Sequence, residues 1–473
     1  MREKNIFIIG AGPAGIACAY ELAKNNILSY LIEKEDLPCG ICKTIEYKGF
    51  RFDIGPHRFF TKSKFVEDLW KSLLKEDFLL KKRCTHIFFN KKFFLYPIKI
   101  SDVLIKLGIL ESILVILDYL VSDISYKFKK EESFEDWVIK NFGKRLYKAF
   151  FKTYTEKIWG ISSSEISSDW AAQRIKGLSL FSAVKNAFFK GKGRIKTLID
   201  KFYYPKYGVG QMYVKMLEEA LSKGVQLFLN NELVEVGREK KKVKYIILKD
   251  KKGEIKRINA DYLVSSIPFS ILFKILRPSP PPLILNSAKR LKYRSLIEVC
   301  LIVEGETEFK DQWIYIHEPH FKVGRIQLYK NWSKYLFPKE TPFIHLGMEY
   351  FCFKEDEMWN KTDSEILRLA NSELSKIGII RRLKIIDGFV VRVPYAYPVY
   401  TKYYKRDMKL LREYIEKIEN LQVIGRCGMH RYNNMDHSIL TGIYAAQNII
   451  LGKKKYDLWK VNVEKEYLEE YSS

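Results

Sequence analysis

Cys39 and Cys42 form a C-x-x-C, and Gly55-Pro56-His57-Arg58 follows thirteen residues later. Thiols at that spacing can cycle as a redox pair or supply half of a zinc site. Redox cycling asks for a thioredoxin-like setting or a cysteine activated at a helix start. Zinc asks for two more ligands at close spacing, and none stands nearby in sequence. The third reading is that both cysteines are structural parts of a loop built for other chemistry. The residues upstream favour it.

Residues 5–9 (NIFII) are a β-branched and aromatic run, the mark of a buried parallel strand. Gly10, Gly12 and Gly15 follow as G-x-G-x-x-G, with Pro13 and Ala14 between them. Residues 16–24 read as a helix, residues 29–32 as a second strand, and Glu33 and Lys34 come next. The first glycine makes a tight turn, the second lets backbone approach a pyrophosphate, and the third lets helix pack on strand. Free amides at the helix start, aided by its dipole, bind the anion, and the acid accepts from ribose hydroxyls. The order of the parts specifies a dinucleotide site.

Residues 38–44 (PCGICKT) and 52–57 (FDIGPH) then resemble the second flavin-binding segment of the amine oxidase and protoporphyrinogen oxidase superfamily, to which UDP-galactopyranose mutases also belong. Gly40 and Thr44 match that pattern, while Cys39 stands where its first glycine is expected. The closing run, residues 423–448 (VIGRCGMHRYNNMDHSILTGIYAAQN), resembles the superfamily's last flavin segment, with a strand reaching Gly425-Arg426 and a helix starting near Asp436. The resemblance implies FAD, held by Gly10, Gly12, Pro13, Ala14, Gly15, Glu33, Lys34, Gly40, Thr44, Gly55, Pro56 and His57. It adds the backbone of Val234 at the adenine, and Gly425, Arg426, Asn434, Met435 and Asp436 near the phosphates and ring.

Residues 55–61 (GPHRFFT) and 154–160 (YTEKIWG) are similar to UDP-galactopyranose mutase strings. The resemblance places His57 against the flavin and Trp159 on a substrate wall. Candidate catalytic residues are His57, Arg174 and Arg392; candidate substrate contacts are Tyr154, Trp159, Arg325, Tyr397 and Tyr400. The three arginines could clamp a phosphate bidentately or serve in ordinary ion pairs. Residues 169–174 (DWAAQR) look as much like the oxidase side of the superfamily. The expected activity is an oxidoreductase in which flavin N5 accepts hydride from a bound substrate. The alternative is a mutase-like sugar-nucleotide isomerase using reduced FAD as nucleophile.

Placing these residues requires an α/β fold: a three-layer, Rossmann-like FAD-binding domain with a discontinuous mixed α+β substrate domain. The expected FAD-binding parts are residues 1–61, 204–268 and 421–473. Residues 62–203 should form a mainly helical substrate domain and residues 269–420 its α+β part. Residues 204–230 read as turn, helix and strand, with 231–236 continuing the strand and 242–258 forming a charged hairpin. Strands are expected over 260–268, 295–303, 313–316 and 389–393.

The chain has 473 residues, 47% of them hydrophobic, ample for two or three cores. Its formal charge is +26, spread along the whole sequence, which favours an anionic partner. No zinc finger, helix-turn-helix or aromatic RNA-binding signature accompanies that charge, so nucleic acid is not expected. The small-molecule substrate could be a sugar nucleotide or lipid-like. Residues 103–121 form the most lipid-like stretch, but Lys106, Glu111 and Asp118 interrupt it, so it does not read as a span. Seven scattered cysteines and no secretory leader pattern point to a reduced, cytoplasmic protein, open to peripheral contact with the inner membrane face.

Overall fold

The computed structural model describes residues 4–96, 102, 105, 106, 108–126, 129, 131–168 and 201–462. Its first sheet has five parallel strands in the order Leu421–Val423, Tyr262–Ser265, Ile6–Ile9, Tyr30–Ile32 and Gln226–Phe228. The central strand is buried at every residue, as parallel strands covered on both faces must be. Helices Pro13–Lys24, Gly210–Ser222 and Met435–Ile450 pack together on it. A four-stranded sheet containing Asn231–Glu239, Lys242–Asp250 and Ile255–Asn259 closes the same core.

The second body is a seven-stranded sheet in the order Arg381–Pro398, Tyr293–Glu306, Ile344–Cys352, Val323–Leu328, Trp313–Ile316, Thr85–Phe89 and Lys92–Leu95. Its two central strands run as nearly unbroken buried sequence. Helix Asp363–Ile377 covers one face. Its start is fixed locally: Thr362 Oγ1 accepts from the Glu365 amide, and Glu365 returns the bond to the Thr362 amide. Gly378, with φ at 73°, ends it.

Three expectations change. Residues 231–236 do not prolong the preceding strand: Asn230 turns the chain at φ 57°, and Asn231–Glu239 joins the other sheet. The strand before Gly425 stops at Val423, and Gly425–Gly428 is a helical turn. Within residues 62–203, strands Phe78–Lys82, Thr85–Phe89, Lys92–Leu95 and Lys201–Pro205 accompany the helices. Thr85–Phe89 and Lys92–Leu95 form the edge of the large sheet, while Phe78–Lys82 and Lys201–Pro205 pair with each other in a two-stranded sheet.

Candidate active site

The glycine turn after Ile9 is tightly built. Gly10 has φ at 96°, and a Cβ on Gly15 would lie 1.9 Å from the Gly10 carbonyl oxygen. Gly12 differs, because a Cβ there would meet nothing nearer than the Gly40 Cα at 3.9 Å. The helix Pro13–Lys24 starts with Gly12 as its N-cap, proline in its first turn and no capping side chain. Its first amides therefore face an open recess, and an anion at that point would satisfy them. Glu33 is buried at the end of the second strand, with Oε2 accepting from the Ala11 amide at 2.8 Å and Oε1 from the Glu35 amide at 3.1 Å. Lys34 turns to Glu35 at the surface, so its ammonium is not part of the recess.

The second segment is stapled across the first. The Cys39 amide donates to the Ala11 carbonyl at 2.7 Å, and a Cβ on Gly40 would lie 3.2 Å from the Gly12 Cα. Cys39 has φ at 77°, the left-handed region that favours glycine. The backbone thus keeps the shape a glycine would give while a cysteine occupies it. Burial pushes the Cys39 and Cys42 thiols up to about 12, so neither is a thiolate at neutral pH. Cys39→Gly is expected to retain flavin and to change stability by no more than about 1 kcal/mol, relief of backbone strain offsetting the lost packing. Denaturant unfolding with a flavin absorbance ratio checks it. Loss of a redox function in that variant would contradict the structural role.

Thr44 holds the loop together. Its hydroxyl donates to Asp53 Oδ1 at 2.6 Å and accepts from the Gly210 amide at 2.9 Å. Through those two bonds Thr44 shapes the loop that borders the cofactor recess. Asp53 also accepts from Tyr204 Oη and the Val209 amide, and its carbonyl accepts from Tyr329 Oη at 2.5 Å. Burial raises its carboxyl to about 6 against the pull of those donors.

From that anchor the chain turns through Gly55 and Pro56 to His57. The His57 ring sits with Nδ1 3.1 Å from the Gly55 carbonyl, which assigns the proton to Nδ1 and leaves Nε2 as an acceptor. Burial first, then Arg426 and Arg325, push its pKa down to about 3. His57 is therefore a neutral hydrogen-bonding group at physiological pH.

Facing this loop is the side of the large sheet not covered by helix Asp363–Ile377. Cross-strand partners share a face, and Glu298 pairs with Glu349, which pairs with Arg325. Arg325 is ion-paired to Glu349 and donates to Tyr397 Oη at 3.2 Å. Glu349 Oε2 lies 3.5 Å from where a Gly55 Cβ would stand. Burial raises the Glu349 carboxyl to about 7, with Arg325 holding it back, and raises Glu298 further because burial is joined by the charge of Glu349. The pair therefore ionises at Glu349 and keeps a proton on Glu298. Gln327 and Tyr329 both donate to Glu298 Oε1 at 3.3 Å.

An aromatic wall completes the recess. Tyr397 stacks on Tyr432 at 5.9 Å, Trp159 lies 6.0 Å from Tyr432, and the Arg426 guanidinium sits 4.9 Å from the Tyr432 ring centroid. Tyr154 stacks on His317 at 4.2 Å and feels the Arg325 charge. Tyr400 Oη accepts from the Tyr432 amide at 2.6 Å, bracing the wall from behind.

Two arginines leave the candidate set. Arg392 pairs across the sheet with Ile297, one residue out of phase with Glu298, and so points to the opposite face. There it ion-pairs with Asp363 and donates to the Lys361 carbonyl at 2.6 Å. Its role is to fasten a loop, and it does not reach the recess. Arg174 lies outside the described residues. Glu298, Glu349, Tyr329 and Tyr432 are functional candidates that motif reasoning passed over. Single acids inside the apolar runs SLIEVCLIV and IHLGMEYFC were the available signal for the first two.

The remaining cofactor candidates converge from two directions. Val234 sits at a register shift between Leu233 and Glu235, so the bulge leaves it out of the ladder and frees its backbone. Gly425 abuts Ala14, and a Cβ on it would lie 3.0 Å from the Ala14 Cβ. Asn434, Met435 and Asp436 form the start of the sixteen-residue helix Met435–Ile450. Elsewhere, Cys84, His86 and Asp311 form a group able to hold a cation, with His86 Nδ1 2.6 Å from Asp311 Oδ1.

A family model described as flavin-containing amine oxidoreductase matches residues 13–450. The chain belongs to that family. The family is one of flavin-containing oxidoreductases, and the open cradle at Gly12, the uncapped helix start and buried Glu33 fit FAD. Crystallised reduced UDP-galactopyranose mutase superposes on this flavoprotein with a TM-score of 0.80 at 20% identity, covering 96% of both chains. A candidate protoporphyrinogen oxidase from Exiguobacterium sp. 255-15 superposes at 0.72 and 18% identity, covering 96% of this chain and all of the other. Both likenesses are of fold. In sequence, the flavoprotein is 40% identical to Neurospora crassa phytoene desaturase over 80 residues, 16% of this chain and 13% of the desaturase. It is 27% identical to a candidate UDP-galactopyranose mutase of Klebsiella pneumoniae over 175 residues, 35% of this chain and 44% of the mutase. The chain thus matches less than half of the length of these curated relatives. Among the described residues no helix is long and apolar enough to cross a membrane.

Proposed function

We propose that the flavoprotein dehydrogenates a largely apolar small molecule held between the His57 loop and the wall of Trp159, Tyr397 and Tyr432. Bound FAD supplies a two-electron acceptor that takes hydride from a substrate carbon at N5. The protein's part is to orient that carbon, exclude water and hold the accompanying proton. Neutral His57 offers an acceptor at Nε2 without bringing charge to the ring. The Glu349 carboxyl, raised to about 7, is placed to take up the proton. Dioxygen or a quinone would then receive the electrons.

The observation that carries this reading is the Arg325–Glu349 pair. An isomerase of sugar nucleotides needs cationic groups for a diphosphate, yet of the candidate arginines among the described residues Arg325 meets a buried carboxylate and Arg392 faces away. The local likeness to phytoene desaturase suggests an extended, lipid-like substrate, and apolar Ile54, Leu296, Phe351 and Val393 around the loop suit one.

The test is anaerobic mixing of oxidised holoenzyme with a phytoene-type polyene, followed by its absorbance. Bleaching of the flavin bands with formation of a further double bond is the expected result. Interconversion of the ring forms of UDP-galactose by the dithionite-reduced enzyme, with no bleaching by the polyene, would overturn it.

A further inference from the structure

Helix Ile109–Tyr126 sits on the molecule with its apolar side outward. Leu110, Ile113, Leu114, Leu117, Leu120, Val121 and Ile124 are between 41% and 80% exposed. At helical spacing these seven fall within an arc of about 120°, and the stripe runs about 21 Å along the axis. Its other side is mixed, with Val115 buried among apolar neighbours and polar groups beside it. Glu111 accepts from Arg145 Nη1 at 2.8 Å, Asp118 accepts from the Arg145 amide at 2.8 Å, and Ser122 is buried. Water-soluble helices are oriented the other way, and a contiguous outward stripe of branched aliphatics marks a docking surface.

We infer that this helix lies flat in the interface of an anionic phospholipid bilayer, its Leu/Ile/Val stripe among the acyl chains. Charge decides between a bilayer and a second copy of the chain. The protein carries +26, and Lys127, Lys129 and Lys130 follow the helix directly in sequence. Lys144, Arg145 and Lys148 are exposed on the neighbouring segment. Two copies meeting at this face would bring those cations together, whereas anionic headgroups neutralise them. An aliphatic face without charge, with lysines on the segment that follows and cations on the neighbouring one, suits a helix lying in an anionic interface.

The placement also concerns the substrate, a point that rests on the dehydrogenase reading above. Val115, beneath the stripe, belongs to one apolar cluster with Leu146, Phe150, Trp159 and, at its margin, Tyr397. A molecule leaving the bilayer beside this helix would meet apolar side chains all the way to the aromatic wall.

Flotation of the holoprotein with vesicles tests the docking without any need for turnover. Vesicles of equimolar phosphatidylcholine and phosphatidylglycerol should carry it, with at least ~10-fold weaker partition onto phosphatidylcholine alone or in high salt. The triple variant Leu117→Gln/Leu120→Gln/Ile124→Gln should lower partition by ~100-fold while flavin content and thermal midpoint stay at wild-type values. The inference is overturned if wild type does not float, or if the variant floats equally well. It is also overturned if the variant's midpoint falls, which would mean the chain itself covers the stripe, or if sedimentation shows a dimer that the variant dissolves. Failure of the polyene assay with flotation intact would sink the substrate reading alone.

Discussion

Gly12→Ala is expected to fold with wild-type stability and to purify nearly free of flavin. In the protein alone a Cβ at that position has room, its nearest neighbour being the Gly40 Cα at 3.9 Å. The space it would take is therefore the space the cofactor's pyrophosphate needs. Displacing the phosphates from the first amides of helix Pro13–Lys24 loses one or two charge-assisted hydrogen bonds, each worth about 1.5–3 kcal/mol. Affinity should fall by at least about tenfold. Gly15→Ala makes the contrast, because its Cβ would lie 1.9 Å from the Gly10 carbonyl and neither atom can rotate away. That variant should lose stability as well as flavin. Absorbance ratios and calorimetric titration of apoprotein with FAD, alongside unfolding curves, separate the two. Full flavin occupancy in Gly12→Ala would remove the pyrophosphate from this turn.

Acid should unfold the protein abruptly below about pH 4.5. Burial pushes His57, His317, His345 and His430 down to about 3 from 6.5. As pH falls through 6.5 the unfolded chain takes protons at these four sites and the folded one does not. Stability is lost at up to about 1.4 kcal/mol per pH unit for each. Three carboxyls act in the other sense. Asp53 is raised to about 6, Glu349 to about 7, and Glu298 also upward, so the folded state binds these protons first between about pH 7 and 4.5. The two sets nearly cancel in that window, giving a shoulder. Below it these three carboxyls protonate in both states and the histidines act unopposed, at about 5 kcal/mol per pH unit, joined by carboxylates such as Asp407 that their partners hold below the ordinary range. The slope ends near pH 3, where the folded state takes up the same protons, so about 8 kcal/mol is lost over that span, comparable with a typical net stability of about 5–15 kcal/mol. Denaturant midpoints measured from pH 8 to 3.5 should show the shoulder and the drop. His345 packs against Phe50, Phe52 and Phe337, and His345→Phe should soften the drop by about a quarter.

The nucleotide half of the fold was legible because its chemistry is local. Strand, glycine turn, helix and acid fall within residues 5–33, and each dictates its neighbour's conformation. The conformation of Cys39 was not readable, since a cysteine where the flanking motif expects a glycine leaves the backbone open, and only the φ of 77° shows that the glycine's shape is kept. The substrate side was not local. Arg325 and Arg392 look alike in sequence, and only the register of Ile297 with Arg392 and of Glu349 with Arg325 sends one to the site and the other behind the sheet. A one-residue difference in phase reverses a side chain's face, and single-sequence reasoning does not fix register across strands fifty residues apart. Glu298 and Glu349 were passed over for the same reason, because their meaning depends on being opposite one another.

The parallel sheet takes its central strand from residues 6–9, one neighbour from 262–265 and its edge from 421–423, with helix Met435–Ile450 pressed onto the first helix. A ribosome adding ~5–20 residues per second therefore works for roughly 20–90 s after the glycine turn emerges before the last supporting helix exists. For most of that interval the apolar first strand has only Tyr30–Ile32 beside it and lacks its neighbour Tyr262–Ser265, the situation in which nascent chains recruit chaperones. Flavin supply can then act on yield only after synthesis, as a ligand that captures the finished sheet.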